Sequence, residues 1–263
     1  MDKEDLKKLA ENPNFIQGIY NYCDRWCERC PFTLRCLNFA MDSEDLADQE
    51  KHDINNEAFW QQLTETFQMT LELLHEAAER EGIDLDDLDS EYSEEEHRLK
   101  NELARDHECA RAAKLYIDMA DDWFDSARDF FAQDEDESTL DPFLSESDDG
   151  EDASFRDALE VVGWYEHLIY VKLMRAVRGE LEERSEMLDE FPKDSDGSAK
   201  VALIGIDRSI AGWGEIRNYF PHRSEDILDI LVHLEQLRRK VEKVFPNARS
   251  FIRPGFDKID LNS

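Results

Sequence analysis

Residues 103–131 read LARDHECARAAKLYIDMADDWFDSARDFF, and this stretch decides the fold. Mostly small and apolar residues recur along it at alternating intervals of three and four. This spacing places the recurring residues on one face of an α-helix. We therefore predict one long helix over 93–132, opened by a capping box in which Ser93 is followed by Glu96. The face consists of Leu103, Asp106, Ala110, Ala113, Ile117, Ala120, Phe124, Ala127 and Phe131.

The same spacing recurs on both sides of this segment. No alternating pattern of useful length indicates a β-strand, and no repeat of fixed period is present in the sequence. Long amphipathic helices joined by short connections pack as a bundle. The sequence therefore predicts an all-α protein with a bundle of about five long helices across 56–245. The four further helices are expected at about 56–82, 153–189, 198–219 and 224–245.

The charge balance limits what the chain is expected to bind. Its 263 residues include 64 acidic and 31 basic residues, for a net charge of −33. Such a surface repels phosphate backbones and anionic lipid head groups, so neither nucleic acid nor membrane is an expected partner. No apolar run is long enough to span a bilayer, and the N-terminus lacks the apolar core of a signal peptide. We expect a cytoplasmic protein, whose acidity reflects either a high-salt cytoplasm or a need for solubility.

Two segments depart from the helical pattern. Residues 134–152 contain ten acidic residues and no Lys or Arg, which predicts a solvated, mobile loop. Residues 237–258 carry seven basic and two acidic residues. They lead into a C-terminal tail, 246–263, and either neutralise the acidic body or contact an anion or a partner.

Four of the five cysteines lie within 14 residues, in a proposed N-terminal metal-binding module spanning 1–45. Cys23, Cys27, Cys30 and Cys36 follow the pattern C-x3-C-x2-C-P-x4-C. In a reducing compartment such clustering indicates metal ligation, and four thiolates suit either zinc or a [4Fe-4S] cluster. The fifth, Cys109, is expected to be a small buried hydrophobe.

The spacing favours the cluster. If 13–29 is helical, Cys23 and Cys27 lie one turn apart, and Pro31 ends the helix at Cys30. Cys23 and Cys30 are then about 10 Å apart along the axis. The sulfurs around one zinc ion are only about 3.8 Å apart, given Zn–S bonds of about 2.3 Å. Zinc remains the alternative, because a bend in the helix would bring the sulfurs together, and thiols without metal are a third option.

Residues 27–36, CERCPFTLRC, resemble the cluster loop of endonuclease-III-like enzymes and adenine DNA glycosylases. That loop has the pattern C-x6-C-x2-C-x5-C, often with proline after the third cysteine. The last two spacings match, whereas the first is x3 in this chain. The resemblance implies a [4Fe-4S] cluster held by the four clustered cysteines, and it does not extend to the glycosylase activity. Around them, six aromatic residues and Arg25, Arg29 and Arg35 would exclude water and offset the charge of the cluster.

A second, weaker metal site is considered within the bundle. Glu72 and His75 form a Glu-x2-His pair that resembles the ligand motif of ferritin-like di-iron bundles. Asp106 and Asp207 occupy positions where apolar residues are expected, and counting from the loops places all four at one level. Burying a carboxylate is costly unless it is paired or bound to a metal. We expect Asp106 and Asp207 to pair with arginine, with a metal site as the alternative. Glu166 also interrupts an apolar face but falls at another level.

The leading functional hypothesis is electron transfer or redox sensing through a [4Fe-4S] cluster, together with a protein partner. The first alternative is a zinc-stabilised interaction scaffold. The second is an enzyme with a carboxylate-bound metal in the bundle.

Overall fold

The computed structural model describes residues 8–9, 11–45, 57–83, 94–133, 150–183 and 193–257. All regular structure within these ranges is helical, so the all-α prediction is confirmed. None of the described helices combines the length and apolar character of a membrane span. The α-helices are α1 (Leu37–Asp45), α2 (Glu57–Glu81), α3 (Glu94–Asp106), α4 (Glu108–Gln133), α5 (Gly150–Glu183), α6 (Asp194–Tyr219) and α7 (Ser224–Val244).

The chain divides into two compact units. One comprises Met1–Leu99 together with Arg253–Ser263, and the other comprises Lys100–Ile252. These boundaries differ from the division expected from sequence, in which one bundle began at residue 56 and the tail at 246. The difference arises because α2 belongs to the first unit, as does the segment from Arg253 onward.

Within its described residues, the second unit holds four long helices packed as a bundle, and a fifth long helix, α2, belongs to the first unit, so the expected number of about five is roughly met. α5 packs along α6, α6 along α7, and α4 against both α5 and α7, so the four helices form a closed ring. The approach of α5 to α6 is close, because a Cβ atom at Gly205 would lie 2.9 Å from Tyr165 Cδ1. The largest fully buried side chains of this unit are Tyr116, Tyr165, Ile169, Leu173, Leu203, Ile206, Trp213, Ile216, Ile227, Leu234 and Leu237.

One hydrogen bond and several packed aromatic rings lie in the core of the bundle. The indole N–H of Trp213 donates a hydrogen bond to Tyr116 Oη at 3.1 Å, so both buried polar groups are satisfied. Trp123 packs edge-to-face on Trp213 with ring centroids 5.1 Å apart, and on Phe220 at 5.4 Å. Aromatic pairs with this geometry contribute about 0.5–1.5 kcal/mol beyond the area they bury.

The prediction of one continuous helix over 93–132 is wrong at His107. The helix is interrupted there, because His107 Nδ1 accepts a hydrogen bond from the backbone N–H of Cys109 at 3.2 Å. This side-chain contact satisfies an amide of the first turn of α4, as an N-cap residue does. The spacing of apolar residues does not reveal such a cap, because the periodic apolar face continues on both sides of His107. The proposed capping residue Ser93 lies outside the described residues.

α2 confirms the helix predicted at 56–82. It ends at Gly82, which has the left-handed φ of 69° that is common just past the end of a helix. Its apolar face is largely exposed within the described structure: Trp60, Phe67, Leu71 and Leu74 are each more than half exposed. Its sequence pattern therefore predicted a helix correctly but not a buried face.

Several expectations fall at the edges of the described residues. Residues 41–45, the last of the proposed N-terminal module, form the end of α1. Most of the proposed acidic loop, 134–149, lies outside the described residues, and α5 already begins at Gly150. In the tail, a 3-10 turn at Ala248–Ser250 packs on α6, and 258–263 lie outside the described residues.

Candidate metal centre

The segment that carries the four cysteines is built from short 3-10 turns. They span Ile19–Tyr22, Cys27–Arg29 and Thr33–Arg35, so residues 13–29 do not form the single helix that the spacing argument assumed. The backbone reverses at Gly18, with a φ of 72°, and again at Arg25, with a φ of 60°. In addition, Asp24 Oδ1 accepts a hydrogen bond from the backbone N–H of Trp26 at 3.3 Å. This bond closes a local turn, and such side-chain bonds to the backbone disfavour a helix.

Each of the three turns has a cysteine at one or both of its ends. Cys23, Cys30 and Cys36 follow the three turns in extended conformation, and Cys27 opens the second turn. The ψ of Cys30 is 124°, as expected for a residue that precedes proline. The reasoning about Pro31 is therefore confirmed, although no long helix precedes it.

The four cysteines line one cavity. It is partly open to solvent, and the space inside it that a water-sized sphere can reach is about 20 Å³. Ile19, Trp26, Phe39 and Phe256 contribute to its wall, and the accessible wall is apolar. Such a lining keeps water away from sulfur while leaving a path to the surface.

Phe256 is a wall residue that sequence reasoning missed. It lies 220 positions after Cys36, and its ring packs edge-to-face on Phe32 with centroids 5.2 Å apart. Its segment is shaped by an ion pair between Arg253 and Asp257, at 3.2 Å, and by Gly255, with a φ of 77°. The Pro-Gly-Phe turn signal was visible in the sequence, but its contact with the cysteine segment required the tertiary fold.

The thiols influence one another electrostatically. Burial raises the pKa of Cys27, and the neighbouring Cys23, Cys30 and Cys36 raise it further. Burial also raises the pKa of Cys30, although the N–H of Phe32 donates to its Sγ at 3.4 Å and acts in the opposite direction. Four thiolates in one small cavity repel each other, so a bound positive charge is what would stabilise them together.

The geometry of the cysteines differs from that of a closed single-ion site. Among the described residues, no three His, Cys, Asp or Glu side chains form a group that could hold one metal ion. The cysteines instead surround a common space. Cys23, part-buried, donates its S–H to Tyr20 O at 3.4 Å.

The second proposed site finds no support in the described residues. Glu72 and His75 are exposed on α2, and Asp106 is exposed at the end of α3. Asp207 pairs with Arg249 at 2.6 Å and with Arg238 at 3.4 Å. The arginine pairing expected for Asp207 is thus present, but Asp106 is a surface residue because the helix breaks directly after it.

These ion pairs also bear on the basic segment 237–258. Arg249 contacts Glu242 at 2.9 Å as well as Asp207, and Arg239 contacts Glu235 at 2.8 Å. These described contacts match the reading in which the segment neutralises acidic side chains of its own unit.

Cys109 is fully buried in α4, as the sequence predicted. Burial raises the pKa of its thiol to about 12, so it is an inert packing residue at neutral pH.

Comparison with known protein families, with characterised proteins and with solved structures finds no match to this chain.

Proposed function

We propose that Cys23, Cys27, Cys30 and Cys36 hold one [4Fe-4S] cluster, through which the protein transfers electrons or senses redox state together with a protein partner. One observation carries the proposal: the four cysteines, spread over 14 residues, line a single cavity whose accessible wall is apolar. Four cysteine thiolates are the ligand set of a [4Fe-4S] cluster, and zinc remains the alternative because four thiolates also bind one zinc ion.

The surroundings of the sulfurs fit such a cluster. The N–H of Phe32 directed at Cys30 Sγ is the type of contact that tunes cluster potentials. Trp26 and Phe256 shield the sulfurs from water on the apolar wall. Arg25 also lines the cavity and supplies positive charge beside it. When bound, the cluster would supply one-electron chemistry, and these residues would hold it, exclude water and offset its charge.

The first test is the composition of the protein purified without oxygen. We expect about four irons and four acid-labile sulfides per chain, and absorbance near ~400 nm that bleaches on reduction. Changing Cys27 or Cys36 to Ser should lower the iron content, whereas Cys109→Ser should leave it unchanged because Cys109 packs in another unit. One zinc per chain without labile sulfide would replace this proposal by the zinc-stabilised scaffold.

The same preparations test the remaining alternative. A variant with all four clustered cysteines changed to Ser should retain no iron, manganese or zinc. Metal retained by that variant would favour an enzyme with a carboxylate-bound metal.

A further inference from the structure

We infer that residues 253–257 form a movable turn that closes the cysteine cavity and so controls how fast a bound metal centre is lost. The inference rests on the proposed function, because it assigns these residues a role in keeping that centre. Below, residues 253–257 are called the closing turn.

The closing turn holds its own shape. The backbone N–H of Arg253 donates to Asp257 Oδ2 at 2.8 Å, and the backbone N–H of Asp257 donates to Arg253 O at 3.1 Å. The Arg253 guanidinium also donates to the Asp257 carboxylate at 3.2 Å and lies 4.8 Å from the centroid of the Phe256 ring. Gly255, with a φ of 77°, provides the left-handed backbone of the turn. Because these contacts lie within the turn, leaving the cavity does not break them.

Apolar contacts dock the closing turn on the cysteine segment. A Cβ atom at Gly255 would lie 3.0 Å from the Cδ1 atoms of both Ile16 and Ile19, and Ile19 is buried. The ring of Phe256 packs on Phe32 with centroids 5.2 Å apart, and Phe256 lines the same cavity as the four cysteines. Docking therefore excludes water from the sulfurs, and an apolar shell of this kind controls the access of solvent to a metal site.

The chain just before the closing turn is anchored on α6. Arg249 pairs with Asp207 of α6 at 2.6 Å, and Lys200 of α6 donates a hydrogen bond to Phe251 O. Opening therefore has to move only the residues that follow Phe251. A local opening that breaks few buried contacts costs much less free energy than global unfolding. A metal centre behind the closing turn is then lost at a rate that this opening sets.

The test measures iron release from the full-length protein purified without oxygen. Excess ferrozine, a chelator of ferrous iron, is added together with ascorbate as reductant, and the colour of the chelate gives the first-order rate of release. Iron and sulfide content are measured before the chelator is added.

Gly255→Ala should release iron about ten-fold faster than the wild type, because the new methyl group meets Ile16 and Ile19 and favours the open turn. The matched control is Gly82→Ala at the end of α2. It places alanine at a similar φ of 69°, but no atom lies within 4 Å of the new methyl group. Its release rate should equal that of the wild type.

A second pair of variants tests the aromatic wall. Phe256→Ala should release iron about ten-fold faster than the wild type, since it removes the apolar side chain that docks the turn. Phe256→Leu keeps an apolar side chain and should stay within about three-fold of the wild-type rate.

The iron content separates opening of the turn from damage to the fold. All four variants keep the four clustered cysteines, so each should contain about four irons when freshly purified. Equal release rates for Gly255→Ala and Gly82→Ala would overturn the inference, as would a wild-type rate in Phe256→Ala. A lower iron content in both Gly255→Ala and Phe256→Ala, with the remaining iron released at the wild-type rate, would also overturn it.

The proposed function and the closing turn fail separately. If the purified protein contains no iron, the proposed function fails, and access to the cavity is measured on the four reduced thiols instead. Their reaction with neutral dithiodipyridine should be about three-fold faster in Gly255→Ala than in Gly82→Ala. Cys109 is fully buried and should react slowly in both variants. Equal rates for the four clustered thiols would overturn the closing turn independently of the cluster.

Discussion

Replacing Glu166 by Gln should change how the stability of the bundle depends on pH. Glu166 is only 6% exposed on α5. Burial, together with the charge and hydrogen bond of Asp121, raises the pKa of its carboxyl to about 7, while Lys114 acts in the opposite direction. A carboxyl that is easier to protonate in the folded chain than in the unfolded chain stabilises the fold fully at low pH. That contribution is lost as the pH rises to about 7.

The magnitude follows from the two pKa values. A rise from the ordinary value of 4.5 to about 7 corresponds to an upper limit of about 3–4 kcal/mol, at about 1.4 kcal/mol per pH unit. Glutamine has the same shape and no charge. Glu166→Gln should therefore match the wild type below about pH 4.5 and exceed its free energy of unfolding by as much as about 3–4 kcal/mol at pH 8.

The assay is urea unfolding followed by the helical circular dichroism signal, at several values of pH. Subtracting the wild-type profile cancels the titration of all groups that the two proteins share. Glu160→Gln, at an exposed position of the same helix, is the control and should run parallel to the wild type. If Glu166→Gln is less stable than the wild type at pH 8, the carboxylate is ionised and favourably paired, for instance with His167, whose Nδ1 lies 2.9 Å from Glu166 Oε1. That result would refute the reasoning.

Three further predictions concern the second unit and the surface charge. Asp207→Asn should cost about 1 kcal/mol, because its ion pair with Arg249 is partly exposed; a loss of more than ~3 kcal/mol in urea unfolding would contradict this. Gly205→Ala should destabilise by about 1–3 kcal/mol, since the new methyl would meet Tyr165, whereas Gly214→Ala, with open space, should gain about 0.5–1 kcal/mol. Equal melting temperatures for these two variants would show that the α5–α6 contact is looser. Mixed-sequence duplex DNA should not bind at physiological salt; a micromolar, salt-dependent complex in an anisotropy titration would show otherwise.

Local pattern predicted the helices well because a three-four repeat is a property of the chain itself. The helix at 56–82 was found within one residue at each end. The spacing of apolar residues does not show which apolar helix faces are buried, and the apolar face of α2 is largely exposed. It also missed the break at His107, where one imidazole nitrogen satisfies one backbone amide.

In the cysteine segment, too, the sequence predicted some features and the tertiary structure decided others. The spacing of the four cysteines and the proline after Cys30 predicted a shared centre, and the extended backbone of Cys30 follows from Pro31 alone. Residues 13–29 do not form the helix that the spacing argument assumed, because left-handed backbone at Gly18 and Arg25 reverses the chain. Arginine at a left-handed position carries no sequence signal.

The sequence by itself determined the helical class, the acidic charge and the set of four thiols, because each depends on residue type and short-range spacing. Only the tertiary structure decided that Asp207 meets Arg249, that Asp106 is exposed, and that Phe256 completes the wall beside Cys36. Those outcomes depend on contacts between residues far apart in the chain. Such contacts form when apolar surfaces exclude water together, and no local pattern records which surfaces will meet.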